Sequence, residues 1–263
     1  MKRGLGMLLA IDMGNTNIVI GCIKDNKIIF VERLSTDQSK TELEYVVGFK
    51  TVFELYGIKE TDIKGAIISS VVPPLTGIIR KAVEKIIGMK PMVVGPGIKT
   101  GLNILMDNPK TVGADLIVDA VAGISEYGAP LVIIDMGTAT TISVVDKERN
   151  YIGGMIIPGI RVSMDSLVNR TSQLPRIGFD APEKVIGTNT VDCMKSGIIN
   201  GNAALLDGML ERIEEELGYS VNAVATGGLA GVVVPNCKRA IVTDDSLLLK
   251  GLNIIYHKNI DKK

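Results

Sequence analysis

The run Leu8-Leu9-Ala10-Ile11-Asp12-Met13-Gly14-Asn15-Thr16-Asn17 is echoed by Leu131-Val132-Ile133-Ile134-Asp135-Met136-Gly137-Thr138-Ala139-Thr140, and Ile-Asp-Met-Gly is identical in both copies. Each copy is a short apolar run leading into small hydroxyl or amide residues, the pattern of a buried strand entering a tight turn. The segments downstream of the two copies are also alike. In the first half, three strands are predicted from Met7 to about Ser35, with turns at Gly14-Asn15 and Asp25-Asn26. A helix over 41–57 carries Leu43, Val46, Val47, Val52, Phe53 and Leu55 at helical spacings. A buried strand over 64–72 is stopped by Pro73-Pro74, a helix closes at Gly88, and a short strand over 91–95 ends the half. The second half has strands over 129–137, 138–146 and 150–159, a long helix from about Asn189 to Leu217, and strands over 220–228 and 239–243. A helix over 246–257 closes the chain, and one from about Val112 to Tyr127 joins the halves. The expectation is two duplicated α/β domains, 1–112 and 113–263, with no low-complexity linker between them.

Composition excludes several kinds of function. Hydrophobic residues make up 46% of the 263, enough for a sizeable core. Lysine plus arginine equals aspartate plus glutamate at 29 each, so nothing favours nucleic acid or an anionic membrane surface as partner. Six tyrosines, four phenylalanines and no tryptophan make a poor stacking platform for single strands. Cys22, Cys193 and Cys237 are odd in number and far apart, which fits reduced thiols in cytoplasm better than a disulfide framework or a zinc site. Serine–histidine or cysteine–histidine chemistry would rest on the single histidine, His257, near the end. The apolar start is interrupted by Asp12 and Asn15, and the long uncharged run over 219–237 is broken by Asn222, Gly227, Gly228 and Pro235. Neither reads as a signal peptide or membrane span, so a soluble cytoplasmic protein is expected.

The two turns have the chemistry of phosphate binding. Glycine permits close backbone approach, and the N–H groups of Gly14, Asn15, Thr16 and Asn17, like those of Gly137, Thr138, Ala139 and Thr140, are donors for an anion. Asp12 and Asp135 repel phosphate directly, yet each suits a cation that phosphate also contacts, such as water-clad Mg²⁺. The plain alternative is an aspartate bonded within its own turn. Gly153-Gly154 and Gly227-Gly228 are weaker glycine signals. Asp115 stands in the first turn of the joining helix after Gly113, with Asp119 one turn later. Two readings are open for it. One is a carboxylate favoured by the helix dipole, worth ~0.3–1 kcal/mol. The other is a general base for a hydroxyl attacking the γ-phosphate of ATP.

A repeated Asp-x-Gly hairpin heading two matching halves resembles the actin, hexokinase and Hsp70 superfamily. That resemblance implies duplicated actin-like (ribonuclease H-like) domains with a cleft between them. More specifically, IDMGNTN, ISSVVP, NPKTVGAD, IDMGTATT, GGMIIPG, IGTNTVDCMKSG and ATGGLA, in that order along nearly the whole chain, resemble type III pantothenate kinase. The resemblance implies that residues from Asp12 to Val19 form the first ATP-phosphate loop. It implies Asp115 as proton acceptor, Asp135 as ligand of a monovalent cation (K⁺ or NH₄⁺), and Thr138 as an ATP contact. Pantothenate would touch Gly113, Ala114, Asp115 and Thr190. The family is typically a homodimer with the pantothenate site at the subunit interface, and its product is 4'-phosphopantothenate for coenzyme A synthesis.

Two positions depart from the family pattern. Leu116 stands where the family has arginine, and Met106 where it has tyrosine, both expected to face pantothenate. Arginine makes charge-assisted, often bidentate bonds to a carboxylate, and leucine makes none. Three readings arise from this: an active pantothenate kinase in which Lys110, Arg161 or Arg170 replaces the missing cation; a nucleotide-binding subunit completed by a related, arginine-bearing chain; or a kinase for another small hydroxyl compound that lacks the carboxylate.

Overall fold

The computed structural model describes residues 6–260. In chain order the elements are β1 (Met7–Met13), β2 (Asn17–Lys24), β3 (Lys27–Ser35), α1 (Glu42–Leu55), β4 (Ile63–Ser70), α2 (Pro73–Ile87), β5 (Met92–Val93), β6 (Asn103–Ile104) and α3 (Ala114–Tyr127). They continue with β7 (Leu131–Met136), β8 (Ala139–Val145), β9 (Asn150–Pro158), α4 (Ile160–Asn169), α5 (Thr190–Leu217), β10 (Asn222–Thr226), α6 (Ala230–Val233), β11 (Val242–Thr243) and α7 (Leu247–Ile260). The chain divides into two compact units. One comprises the chain up to Gly101, Asn108–Ala122 and the chain from Leu247; the other comprises Leu102–Asp107 and Gly123–Ser246.

The first unit is built on a five-stranded sheet in the order β3-β2-β1-β4-β5. β1 pairs antiparallel with β2 and parallel with β4. Leu8 through Ile11 and Met13 are all buried, the near-continuous apolar run of a strand covered on both faces. One face, through Leu9, Ile11 and Met13, joins a core with Phe49 and Phe53 of α1 and Leu75, Ile79 and Val83 of α2. The other face is closed by α7, which packs on β1 and β4. Asp25 (φ 50°) and Asn26 (φ 61°) form the two-residue hairpin turn between β2 and β3, where positive φ is tolerated best by such residues. Pro73 and Pro74 not only stop β4 but open α2, since proline at the first helical positions gives up no needed N–H. Within α1 the inward residues are Tyr45, Val46, Phe49, Val52 and Phe53. Leu43, Val47 and Leu55, expected to share that stripe, are solvent-exposed instead.

The second unit repeats the sheet as β9-β8-β7-β10-β11, with β6 added outside β9. β7 again pairs antiparallel with β8 and parallel with β10. Its core joins Val132, Ile134 and Met136 to Leu206, Leu210 and Ile213 of α5. α5 starts where the Asn189 side chain accepts the Asp192 N–H at 3.0 Å and ends at Gly218 with φ 73°. β6 and α4 are not among the predicted elements. A two-residue strand carries no periodicity, and β6 is an edge strand that pairs Asn103 and Ile104 with Asn150 and Tyr151 of β9. Gly153-Gly154 lies inside β9 at an irregularity in its pairing with β8, so it serves the sheet. No helix among the described residues is long and apolar enough to cross a membrane.

The domain boundary expected from the sequence falls after residue 112, whereas α3 starts, and α7 lies, within the first unit. Close contact explains α7. A Cβ at Gly251 would lie 2.2 Å from the Val118 carbonyl oxygen of α3, and one at Gly65 would lie 1.8 Å from the Tyr256 hydroxyl. Gly251→Ala is therefore expected to destabilise the protein by roughly 1–3 kcal/mol through overpacking against backbone. Gly77→Ala, on an exposed turn of α2 with nothing within 4 Å, is expected to stabilise it by up to ~1 kcal/mol through helix propensity. Calorimetric melting of both variants checks the contrast.

Candidate active site

Both Asp-x-Gly turns sit at the carboxyl ends of central strands. In the first, Asp12 lies between Val19 of β2 and Ser69 of β4, and the Gly14 N–H donates to the Asn17 carbonyl at 3.0 Å. Asn15, Thr16 and Asn17 are exposed. In the second, Asp135 lies between Thr141 of β8 and Thr226 of β10, and the Gly137 N–H donates to the Ala139 carbonyl at 3.1 Å. Gly137 and Thr138 are exposed, and Ala139 is half-buried. Thr140 is already inside β8, buried, with no hydrogen-bond partner for its Oγ1.

The glycine pair after β10 belongs to this second turn. Gly227 has φ +93°, and a Cβ there would fall 2.6 Å from Asp135 Oδ1 and 2.7 Å from the Met136 nitrogen. Both conformation and approach demand glycine. Sequence spacing alone could not reveal this, because the two segments meet only through the β7–β10 pairing.

Asp115 is the second residue of α3 and is half-buried. Its Oδ1 accepts the Leu116 N–H at 2.8 Å, folding the carboxylate back onto the helix end. Desolvation pushes its pKa above the ordinary carboxylate value, and the Leu116 N–H opposes that only in part. A Cβ at Gly113 would lie 2.3 Å from this oxygen, so glycine makes room for the folded-back carboxylate. Asp119, one turn on, is buried. Ala114 and Leu116 flank Asp115, both half-buried.

In the second unit, Thr190 opens α5 and lines an open cavity of about 760 Å³ with Leu167, Leu174, Asn189, Cys193 and Met194. Met106 is placed by β6, its sulfur 3.7 Å from where a Cβ on Gly153 would be. Of the three candidate cations, Arg161 stacks its guanidinium 4.7 Å from the Phe179 ring centre. Lys110 and Arg170 are exposed. Burial pushes the Cys22 and Cys237 thiols up to about 11, so neither is a ready nucleophile. His257 lies edge-on to Tyr256 in the last turn of α7. Among the described residues no three His, Cys, Asp or Glu side chains gather to hold a metal. A cation at Asp12 or Asp135 would thus draw most of its ligands from phosphate and water, the habit of Mg²⁺.

The family model for type III pantothenate kinase matches residues 8–212. The chain is 45% identical over 254 residues to the type III pantothenate kinase of Halalkalibacterium halodurans, covering 97% of this chain and 100% of that one. It is also 45% identical over 253 residues to the type III pantothenate kinase of Bacillus cytotoxicus, covering 96% and 97%. Among solved structures, component A of (R)-2-hydroxyglutaryl-CoA dehydratase from Acidaminococcus fermentans aligns at a TM-score of 0.58 with 15% identity, covering 98% and 100%. MreB 5 of Spiroplasma citri, solved bound to AMPPNP, aligns at 0.55 with 11% identity, covering 98% and 97%. These likenesses show the fold alone, a duplicated actin-like α/β architecture, in keeping with the sheet that recurs in the two units of this chain. With a matching family model and relatives aligned almost end to end, the chain belongs to the type III pantothenate kinases, ATP-dependent enzymes that phosphorylate pantothenate in coenzyme A biosynthesis.

Proposed function

We propose that the two Asp-x-Gly turns bind the phosphates of ATP and that Asp115 is the catalytic base toward pantothenate. Two features support this: Asp115 is a desolvated carboxylate held by a backbone N–H, and the same turn is built at the end of the central strand in each unit. The backbone N–H groups of Gly14–Asn17 and Gly137–Thr138 bind and orient phosphate oxygens. Asp12 would hold Mg²⁺, and Asp135 a monovalent cation, K⁺ or NH₄⁺. Bound Mg²⁺ supplies charge neutralisation across the phosphates. The pantothenate hydroxyl oxygen forms a bond to the γ-phosphorus as the bond from that phosphorus to the bridging oxygen breaks, and ADP departs. Asp115 takes the hydroxyl proton, for which its raised pKa makes it a stronger base than an exposed carboxylate. Gly113, Ala114, Leu116, Met106 and Thr190 are the proposed pantothenate contacts, in a cytoplasmic homodimer.

Alanine at Asp12 or Thr138 is expected to weaken ATP binding by at least ~1–2 kcal/mol in calorimetry, the scale of bonds involving charged groups. Asp115→Asn keeps shape but cannot accept a proton, so turnover is expected to fall ~10²–10⁴-fold with ATP affinity nearly unchanged. The pH profile gives a second check. A raised carboxyl pKa means the base is lost by protonation at a higher pH than for an ordinary aspartate. The acid limb of kcat/KM should therefore lie at higher pH than an ordinary aspartate would give in the wild type and vanish in Asp115→Asn.

Leu116 and Met106 mark the acceptor side as short of polar partners. Leu116→Arg is expected to lower KM for pantothenate, by up to ~2 kcal/mol in equivalent binding energy less the cost of desolvating the guanidinium. Adding Met106→Tyr should enlarge the gain, because groups that contact one substrate couple. A rise in KM on Leu116→Arg would assign the carboxylate to Lys110, Arg161 or Arg170. The same two residues favour one second reading, a chain that turns over pantothenate only when mixed with a related, arginine-bearing subunit. Assaying the purified chain alone and in such a mixture separates the two.

A further inference from the structure

We propose that Thr36 is a positioning residue that aims the Asn15 N–H at the nucleotide's phosphates, an assignment that rests on the first turn being a phosphate-binding turn. Thr36 is the first residue beyond β3, and it ties down the turn twice. Its N–H donates to the Thr16 carbonyl at 3.0 Å, and its Oγ1 donates to the Gly14 carbonyl at 2.7 Å. A trans peptide is planar, with C=O and N–H pointing in opposite directions. Fixing the Gly14 carbonyl toward Thr36 therefore fixes the Asn15 N–H pointing away from Thr36.

The second unit supplies the control. Its equivalent residue is Gly159, the first beyond β9, whose N–H donates to the Thr138 carbonyl at 3.2 Å. The backbone tie is thus common to both units, and the hydroxyl tie belongs to the first alone. The difference matches the lengths of the turns. Gly14, Asn15 and Thr16 separate β1 from β2, whereas only Gly137 and Thr138 separate β7 from β8. The longer turn contains one more peptide that the strand ladder does not orient, and the Thr36 hydroxyl orients it. Donors fixed before the anion arrives lose no freedom on binding it, which is what makes such donors effective.

Steady-state kinetics of the full chain test this. Thr36→Val removes the hydroxyl at nearly constant shape and is expected to raise KM for ATP about 3–10-fold, the effect of losing one hydrogen bond. KM for pantothenate should stay within about twofold, and Thr36→Ser should restore KM for ATP to within about twofold of wild type, since it rebuilds the same bond. In the wild-type protein, the Asn15 amide resonance should shift on saturation with a non-hydrolysable ATP analogue. A wild-type KM for ATP in Thr36→Val overturns the proposal. So does a parallel rise in both KM values, or a serine variant no better than valine. If Thr36→Val does not fold, the amide decides, and an unmoved Asn15 resonance overturns it. Asp12→Ala tells the two failures apart. Unchanged ATP binding there removes the nucleotide turn itself; weakened binding there with an unaffected Thr36→Val removes only the role of Thr36.

Discussion

Everything in this chain hangs on a central strand that is paired antiparallel on one side and parallel on the other. β1 has β2 and β4 as neighbours, and β7 has β8 and β10. The hairpin turn after the central strand and the loop after its parallel neighbour therefore leave the same edge of the sheet. The loop after the parallel neighbour then closes on the turn. In the first unit the Val71 N–H donates to the Met13 carbonyl at 3.0 Å. In the second, Gly227 presses on Asp135. The aspartate is therefore not simply at a turn; it is held between two strands of opposite sense at the point where backbone donors are left over.

Much of this architecture was legible because repetition carries more information than propensity. One Ile-Asp-Met-Gly could arise by chance, but two, each leading into the same order of elements, define both sheets. Helix ends were legible where chemistry marks them, as at Gly88 and Asn189. What stayed hidden has physical causes. The exposed face of α1 carries Leu43, Val47 and Leu55, so apolar periodicity there marked more residues than the core takes up. β6 exists only through its partner strand. The location of α7 in the first unit depends on contacts between segments distant in sequence.

The proposed site divides in the same way. Asp12, Asp135 and Asp115 could be picked out because a carboxylate beside a glycine at a strand or helix end is a local signal. The residues that hold them could not. Gly227 reaches Asp135 from another strand, Gly113 acts by leaving room, and Thr36 acts through a carbonyl that no pattern of side chains reports. Gly153-Gly154 shows the converse: a glycine pair prominent in sequence that the sheet itself uses. Chemistry that touches a ligand tends to be written locally, while the support beneath it is written in the topology.

The placement of α7 has a consequence for how the protein comes into being. Its 14 residues follow every described strand in chain order, yet they cover β1 and β4, strands made well before them. On the ribosome the second unit has its whole sheet available while the first still lacks the helix that buries one face. Contacts of such sequence separation slow folding, because a long loop must be ordered before they form. During that interval Leu8 and Ala10 wait uncovered, which gives the nascent chain a period of exposure to aggregation that its finished form does not have.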